Sequence, residues 1–213
     1  MRLNWQINKK SMKKLFFLFV VGLACVAASP VGDGYQIGDT VADFKLKNVD
    51  GKIISLSDFK DAKGFIIIFD CNTCPMSHAY NSRIIALNKK FASQGFPVVL
   101  INPNSAEVVP EESFDEMKNH AKEHGYDFPY LYDQSQEVVR KFNPTNTPHT
   151  FILNKTSNGL KVAYIGAIDN NSRDGAKADK HFVEEAVNEL LAGKPVTVTK
   201  TKAIGCTVKW KNS

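Results

Sequence analysis

Of 213 residues, 27 are Lys or Arg and 22 are Asp or Glu, a formal charge of +5. Residues 1–28 carry five of the basic residues and none of the acidic ones, so the remainder is balanced and offers no electrostatic case for nucleic-acid binding. With four cysteines (Cys25, Cys71, Cys74 and Cys206) in a chain of this length, a disulfide-stapled miniprotein is excluded and one domain with a substantial core is expected.

In chain order, the first element is an export signal. Arg2, Lys9, Lys10, Lys13 and Lys14 make a basic region, and Leu15 to Ala28 is an apolar run short for a membrane span. Val26-Ala27-Ala28 supplies small residues for cleavage, and Met12 offers an alternative start. We therefore expect a signal peptide over 1–29 and an exported protein, periplasmic or extracellular, with no stable membrane span after leader cleavage. A lipid anchor on Cys25 and a retained signal anchor are the weaker alternatives, the former because Gly22 fits such a signal poorly. An oxidising compartment follows, in which disulfides persist.

Residues 30–35 read as a linker, 36–195 as the domain, and 196–213 as a tail packed on it. Asp43 to Lys47 alternates with period two, Asp50-Gly51 turns, and Lys52 to Leu56 returns, which predicts a β-hairpin. Ser57-Asp58 can cap a short helical turn. Phe65 to Phe69 is a buried strand. Met76, Tyr80, Ile84, Leu87 and Phe91 then recur at helical spacing. Phe96 to Ile101 is a second buried strand, Glu111 to His124 an amphipathic helix closed by Gly125, and Ser135 to Phe142 a shorter helix. Thr150 to Leu153 and Val162 to Ile165 are strands joined closely enough to pair antiparallel. Phe182 to Leu191 is the last helix. The order predicts a three-layer α/β/α domain with a mixed central sheet and an N-terminal hairpin.

The chemistry concentrates at Cys71-Asn72-Thr73-Cys74, between the first buried strand and the helix that follows. A thiol at a helix N-terminus has its thiolate stabilised by unpaired N–H groups and the helix dipole. Cys71, placed in the first turn, is the expected nucleophile, and Cys74, one turn on, the resolving thiol. Cys206 is a candidate third redox thiol or a small buried residue of a tail anchored by Ile204, Val208 and Trp210. The competing metal reading would need Cys206 and one of His78, His120, His124, His149 or His181 to complete a site around the pair, and no second cysteine pair supports it. We expect no metal and no cofactor. Asp70 reads as a strand-end residue facing solvent; close to the thiols, it would oppose thiolate formation. His149 is a candidate group beside the dithiol, able to steady a thiolate if protonated. Arg83 and Arg140 read as solvated or paired surface charges.

Phe69-Asp70-Cys71-Asn72-Thr73-Cys74-Pro75, together with Thr147-Pro148 ahead of a strand, resembles the thioredoxin superfamily. Asp43-Phe44, Asp50-Gly51, Glu123 to Leu131, and Ile204 to Trp210 are similar to the peroxiredoxin-like AhpC/TSA (redoxin) subgroup that carries a Cys-x-x-Cys. The resemblance covers about residues 36–211 and implies a thioredoxin fold. It also implies that Pro148 is cis beside Cys71, that Thr147 offers its backbone to an incoming substrate cysteine, and that Pro148 keeps adventitious metal off the dithiol.

In the peroxiredoxin pattern Cys74 takes the peroxidatic place. The preceding threonine and proline places hold Cys71 and Ile67, and the later arginine place holds Pro148, the thioredoxin-like residue. The Trp that thioredoxins place before the first cysteine is Asp70. The implied activity is thiol–disulfide exchange with protein or small-molecule thiols and disulfides, with an electron-donor protein if the chain acts as a reductant. The alternatives are an antioxidant thiol peroxidase using Cys74 and a redox-inactive binding module.

Overall fold

The computed structural model describes residues 33–211. The signal-peptide reading over 1–29, the alternative start at Met12 and the anchor at Cys25 lie outside them. No helix among the described residues is long and apolar enough to cross a membrane.

The strands are β1 (Thr40–Val41), β2 (Lys45–Asn48), β3 (Ile53–Ser55), β4 (Gly64–Phe69), β5 (Val98–Asn102), β6 (Tyr130–Tyr132), β7 (Asn146–Thr147), β8 (His149–Thr156), β9 (Gly159–Gly166) and β10 (Cys206–Thr207). The α-helices are α1 (Pro75–Phe91), α2 (Phe114–His124), α3 (Glu137–Phe142) and α4 (Phe182–Leu191). Eight strands form one sheet in the order β1-β9-β8-β4-β5-β6-β2-β3, and β10 pairs with β7 in a second. β4, β5 and β6 run parallel, whereas β8 is antiparallel to β4. The sheet is mixed, as expected, and the fold is the thioredoxin fold.

Strand β4 shows why the fold has three layers. Its six residues are all buried, and successive side chains point to opposite faces. Ile66 and Ile68 enter a core with Tyr80, Ile84, Leu87 and Phe91 of α1, Met117 of α2 and Val183 and Val187 of α4. Phe65, Ile67 and Phe69 enter the other core, with Val138, Val139 and Phe142 of α3. Each such side chain contributes about 1.5–3 kcal/mol by leaving water.

Some boundaries move. The hairpin pairs Leu46 with Ile54, and the short turn after it has Ser55 as its N-cap, with the Asp58 side chain closing the capping box by accepting from the Ser55 N–H. α2 starts at Phe114, because Pro110–Glu112 form a separate 3-10 turn. The sequence reading contains no strand at 130–132, where β6 extends the parallel set. β8 and β9 run further than expected, leaving a tight turn at Ser157 and Asn158. Within the segment read as linker, Tyr35 is docked: its N–H donates to Lys141 O at 3.0 Å and its ring meets Phe142 at 4.9 Å. The tail is tied at several points. Lys200 bridges Ile165, the Lys209 N–H donates to Asn104 Oδ1, and the Lys211 N–H donates to Gln136 Oε1. Val208 is buried in the second core, with Trp210 against it.

Candidate active site

The parallel strand β4 delivers the chain to the sheet's carboxyl edge, and Asp70 to Thr73 cross that edge as a loop before α1. The helix begins at Pro75, so Cys74 is its N-cap (φ −75°, ψ 121°) and Pro75 stands at its first position. This corrects the sequence reading, which puts Cys71 in the first turn and Cys74 one turn deeper. Cys71 instead lies ahead of the helix, and Cys74 meets its N-terminal field.

Both motif thiols are nearly closed off, with Cys71 1% and Cys74 2% exposed. Cys71 Sγ lies 3.0 Å from Thr147 Oγ1 and 3.7 Å from Ser77 Oγ. Cys74 Sγ lies 3.4 Å from the Thr147 carbonyl oxygen and 2.6 Å from Cys206 Sγ. The Thr147–Pro148 peptide is cis. Cys71, Cys74, Thr147 and Cys206 therefore meet at one point, although Cys206 is 132 residues from Cys74 in sequence.

The two thiols of the motif differ in acidity. The neighbouring Cys71 thiol, against the opposing effect of burial, holds Cys74 well below the ordinary thiol range, helped by Cys206 and by the Ser77 and Cys206 backbone N–H groups. Cys71 is driven strongly upward by its contact with Cys74, by burial, and by the carboxylates of Asp70 and Glu112. Cys206 is pushed up by burial and by Cys74.

Asp70 does not face solvent. It is 2% exposed, its N–H donates to Ile101 O, and Oδ1 has no hydrogen-bond partner. Burial pushes its carboxyl up to about 7, with Ser77 and the Cys71 N–H pulling the other way and Cys74 and Glu112 adding to the rise. A buried carboxyl whose pKa is raised toward neutrality thus directly precedes the dithiol in the chain.

His149 has another occupation than the expected one. Its Nδ1 accepts from the Thr145 N–H at 3.2 Å, its ring lies 5.0 Å from Phe151, and burial lowers its pKa to about 4. It is neutral and turned into the strand layer, so it lacks the positive charge with which it was expected to steady a thiolate. Of the two readings offered for Arg83, the paired one holds: it meets buried Asp169 at 2.6 Å. Among the described residues, no group of three or more His, Cys, Asp or Glu side chains is arranged to hold a metal ion.

Sequence reasoning missed Glu112. It is 0% exposed and binds the loop between the cysteines. Oε2 accepts from the Asn72 N–H at 2.9 Å and from Asn102 Nδ2 at 2.8 Å. Oε1 accepts from the Thr73 N–H at 3.2 Å, from Thr73 Oγ1 at 2.6 Å and from Asn104 Nδ2 at 3.3 Å. Tyr130 O–H donates to Asn72 Oδ1 at 2.9 Å. The loop that spaces the thiols is thus fixed by a buried carboxylate, as burial of a charge requires. The one sequence signal was the second of two acidic residues after Pro110, in a strand-end loop that reads equally well as a solvated helix start.

The place that the resemblance reserves for an incoming cysteine is filled. β10 pairs antiparallel with β7, setting Cys206 opposite Thr147 and Thr207 opposite Asn146. The chain's own Cys206 occupies that position.

Comparison with known proteins agrees with this architecture. A thiol-disulfide oxidoreductase ResA from Bacillus subtilis is 27% identical over 127 residues, covering 59% of this chain and 65% of that relative. The chain thus matches just under two thirds of that relative's length. The Bacillus cereus ResA is 24% identical over 157 residues, covering 68% of this chain and 85% of the relative. The crystal structure of an uncharacterized conserved protein from Geobacillus kaustophilus superposes with a TM-score of 0.77 at 35% identity, covering 85% of this chain and 95% of that one. A thiol:disulfide interchange protein of the thioredoxin family from Chlorobium tepidum superposes with a TM-score of 0.54 at 23% identity, covering 75% and 99%, and shows the fold alone. The ResA relatives and the family support the expected class of enzyme, an oxidoreductase. The sequence profile of the AhpC/TSA family matches residues 37–159, more than half of the chain, and the chain belongs to that family.

Proposed function

We propose that this chain is an exported thiol–disulfide oxidoreductase that exchanges disulfides with protein or small-molecule thiols through Cys71 and Cys74. The observation that carries the reading is Cys74 at the N-cap of α1, its thiol held well below the ordinary range with Cys71 beside it. The ResA relatives, named for this activity, support it.

The roles run opposite to those expected from position in the motif. The Cys74 thiolate attacks a sulfur of the substrate disulfide, forms a mixed disulfide and releases one substrate thiol. Cys71 then gives up its proton and attacks Cys74 Sγ, closing the Cys71–Cys74 bond and releasing the second thiol. Asp70, adjacent and poised near neutrality, is a suitable acceptor for the Cys71 proton. Thr147 Oγ1, 3.0 Å from Cys71 Sγ, orients that thiol. Peroxide reduction by Cys74 is less well supported. Pro148 stands at the arginine place of a peroxiredoxin, and Arg83 is held by Asp169.

Insulin reduction driven by dithiothreitol tests the reading. Cys74→Ser is expected to fall to the uncatalysed rate. The double variant Cys71→Ser/Cys206→Ser, which removes both thiols neighbouring Cys74, is expected to accumulate a mixed disulfide with substrate, seen as added mass under non-reducing conditions. Full activity in Cys74→Ser overturns the proposal, and a wild type that leaves insulin unreduced but consumes peroxide in a Cys74-dependent way would favour the peroxidase.

A further inference from the structure

We propose that Cys206 is a third redox thiol and that Cys74 alternates between two disulfide partners, Cys71 within the motif and Cys206 on the tail. The inference rests on the dithiol reading above and adds an internal partner to it.

Three independent features bring Cys206 to this point. Its Sγ lies 2.6 Å from Cys74 Sγ. Its backbone is registered against Thr147 by the β10–β7 ladder, and Asn146 Nδ2 donates to Gly205 O at 2.8 Å. Gly205 makes the approach physically achievable. A Cβ there would stand 1.9 Å from Thr147 O, a distance no side chain can occupy. The tail is thus built to lie against Thr147, with a glycine at the crossing and a cysteine directly after it.

Accessibility gives the arrangement a use. Cys71 and Cys74 are buried, whereas Cys206 is half-buried and is the most open of the three. Oxidising equivalents held by the motif can reach the surface through Cys206 without uncovering Cys74.

The chemistry balances as an isomerisation. Starting from the Cys71–Cys74 disulfide, the Cys206 thiolate attacks Cys74 Sγ. The Cys74–Cys206 bond forms and the Cys71–Cys74 bond breaks. The electron pair leaves on Cys71, which takes up one proton for the one Cys206 gave up. No electrons are gained or lost. The two-electron oxidation that makes either isomer comes from an external disulfide, the substrate class already proposed.

Peptide mapping under non-reducing, acid-quenched conditions tests this. Trypsin cuts after Lys63, Arg83, Lys202 and Lys209, so Cys71 and Cys74 share the peptide 64–83 and Cys206 lies on 203–209. Full-length protein is equilibrated in a glutathione series. Both the internally looped 64–83 peptide and the 64–83/203–209 cross-link are expected. Their ratio should stay constant across the series, because both species are oxidised by two electrons. Cys71→Ser should give the cross-link alone and Cys206→Ser the loop alone. If neither wild type nor Cys71→Ser yields the cross-link while Cys206→Ser yields the loop, the third-thiol inference fails and the dithiol stands. If Cys206→Ser cannot form the loop, the dithiol reading itself fails.

Discussion

Asp70 is the residue on which the chemistry and the stability of the site meet. Burial is the largest cause of its raised pKa, and the Ser77 and Cys71 hydrogen bonds only partly offset it. The folded protein therefore keeps a proton that the unfolded chain releases near pH 4. Between pH 4 and 7 the folded state binds more protons than the unfolded state, so stability contributed at this site falls as pH rises through that window. Roughly three pH units separate the ordinary value from about 7, which corresponds to about 4 kcal/mol at about 1.4 kcal/mol per unit, an upper bound on the effect. Asp70→Asn keeps the shape and removes the charge. Under reducing conditions, the stability of wild type minus that of Asp70→Asn should fall by about 2–4 kcal/mol from pH 4.5 to 7.5 in urea titrations. A difference that is flat with pH would show that Asp70 is not buried as described. The same substitution should let Cys71 alkylate at lower pH, because Asp70 is one of the carboxylates holding that thiol up. Glu112 is buried as completely but is saturated with donors, which is how one loop tolerates two carboxylates.

At the scale of the element, the site depends on two short strands rather than on the large sheet. β7 and β10 are two residues each, yet they set the third cysteine. Gly205→Ala is the direct probe, because its added methyl meets backbone, which cannot swing aside. The tail should lift at this point at a cost of about 1–3 kcal/mol. Tm should fall by about 2–4 °C per kcal/mol for a domain of this size. The Cys74–Cys206 cross-link should decline steeply while the Cys71–Cys74 loop persists. An unchanged yield of cross-link in Gly205→Ala would mean that the ladder does not position Cys206. These strands left little trace in the sequence. Two residues carry no periodicity, and nothing local in Asn146-Thr147 or Cys206-Thr207 announces a partner 60 residues away. The longer elements were legible for the opposite reason: β4 is an unbroken apolar run, and α1 repeats its buried face over several turns. The α1 boundary was the costly error. Helical spacing shows that a helix exists but leaves its first residue undetermined within a few positions, and that shift exchanged the thiol exposed to the helix dipole.

For the whole molecule, the sequence pattern carried the layering, whereas tertiary packing decided which polar groups went inside. The unbroken apolar run from Phe65 to Phe69 and the helical stripes of α1 and α4 were enough to predict helices on both faces of a mixed sheet. Burial of Asp70, Glu112 and His149 was not readable, because each looks locally like a residue at a solvated strand or helix end. Burial of these three follows from where distant segments close over the carboxyl edge of the sheet. The layering itself is testable with neighbouring positions. Ile67 and Ile68 are adjacent and fully buried, yet they belong to separate cores on opposite faces. Ile→Val at either removes one methylene and should cost about 0.5–1.5 kcal/mol. Residues with no shared partners add, so the double variant should equal the sum of the singles within about 0.5 kcal/mol, despite their being consecutive in the chain. Urea unfolding of the two singles and the double measures this. A discrepancy above about 1 kcal/mol would mean that the two faces repack together, and the sheet would then be transmitting strain between the core under α1 and the core beneath α3.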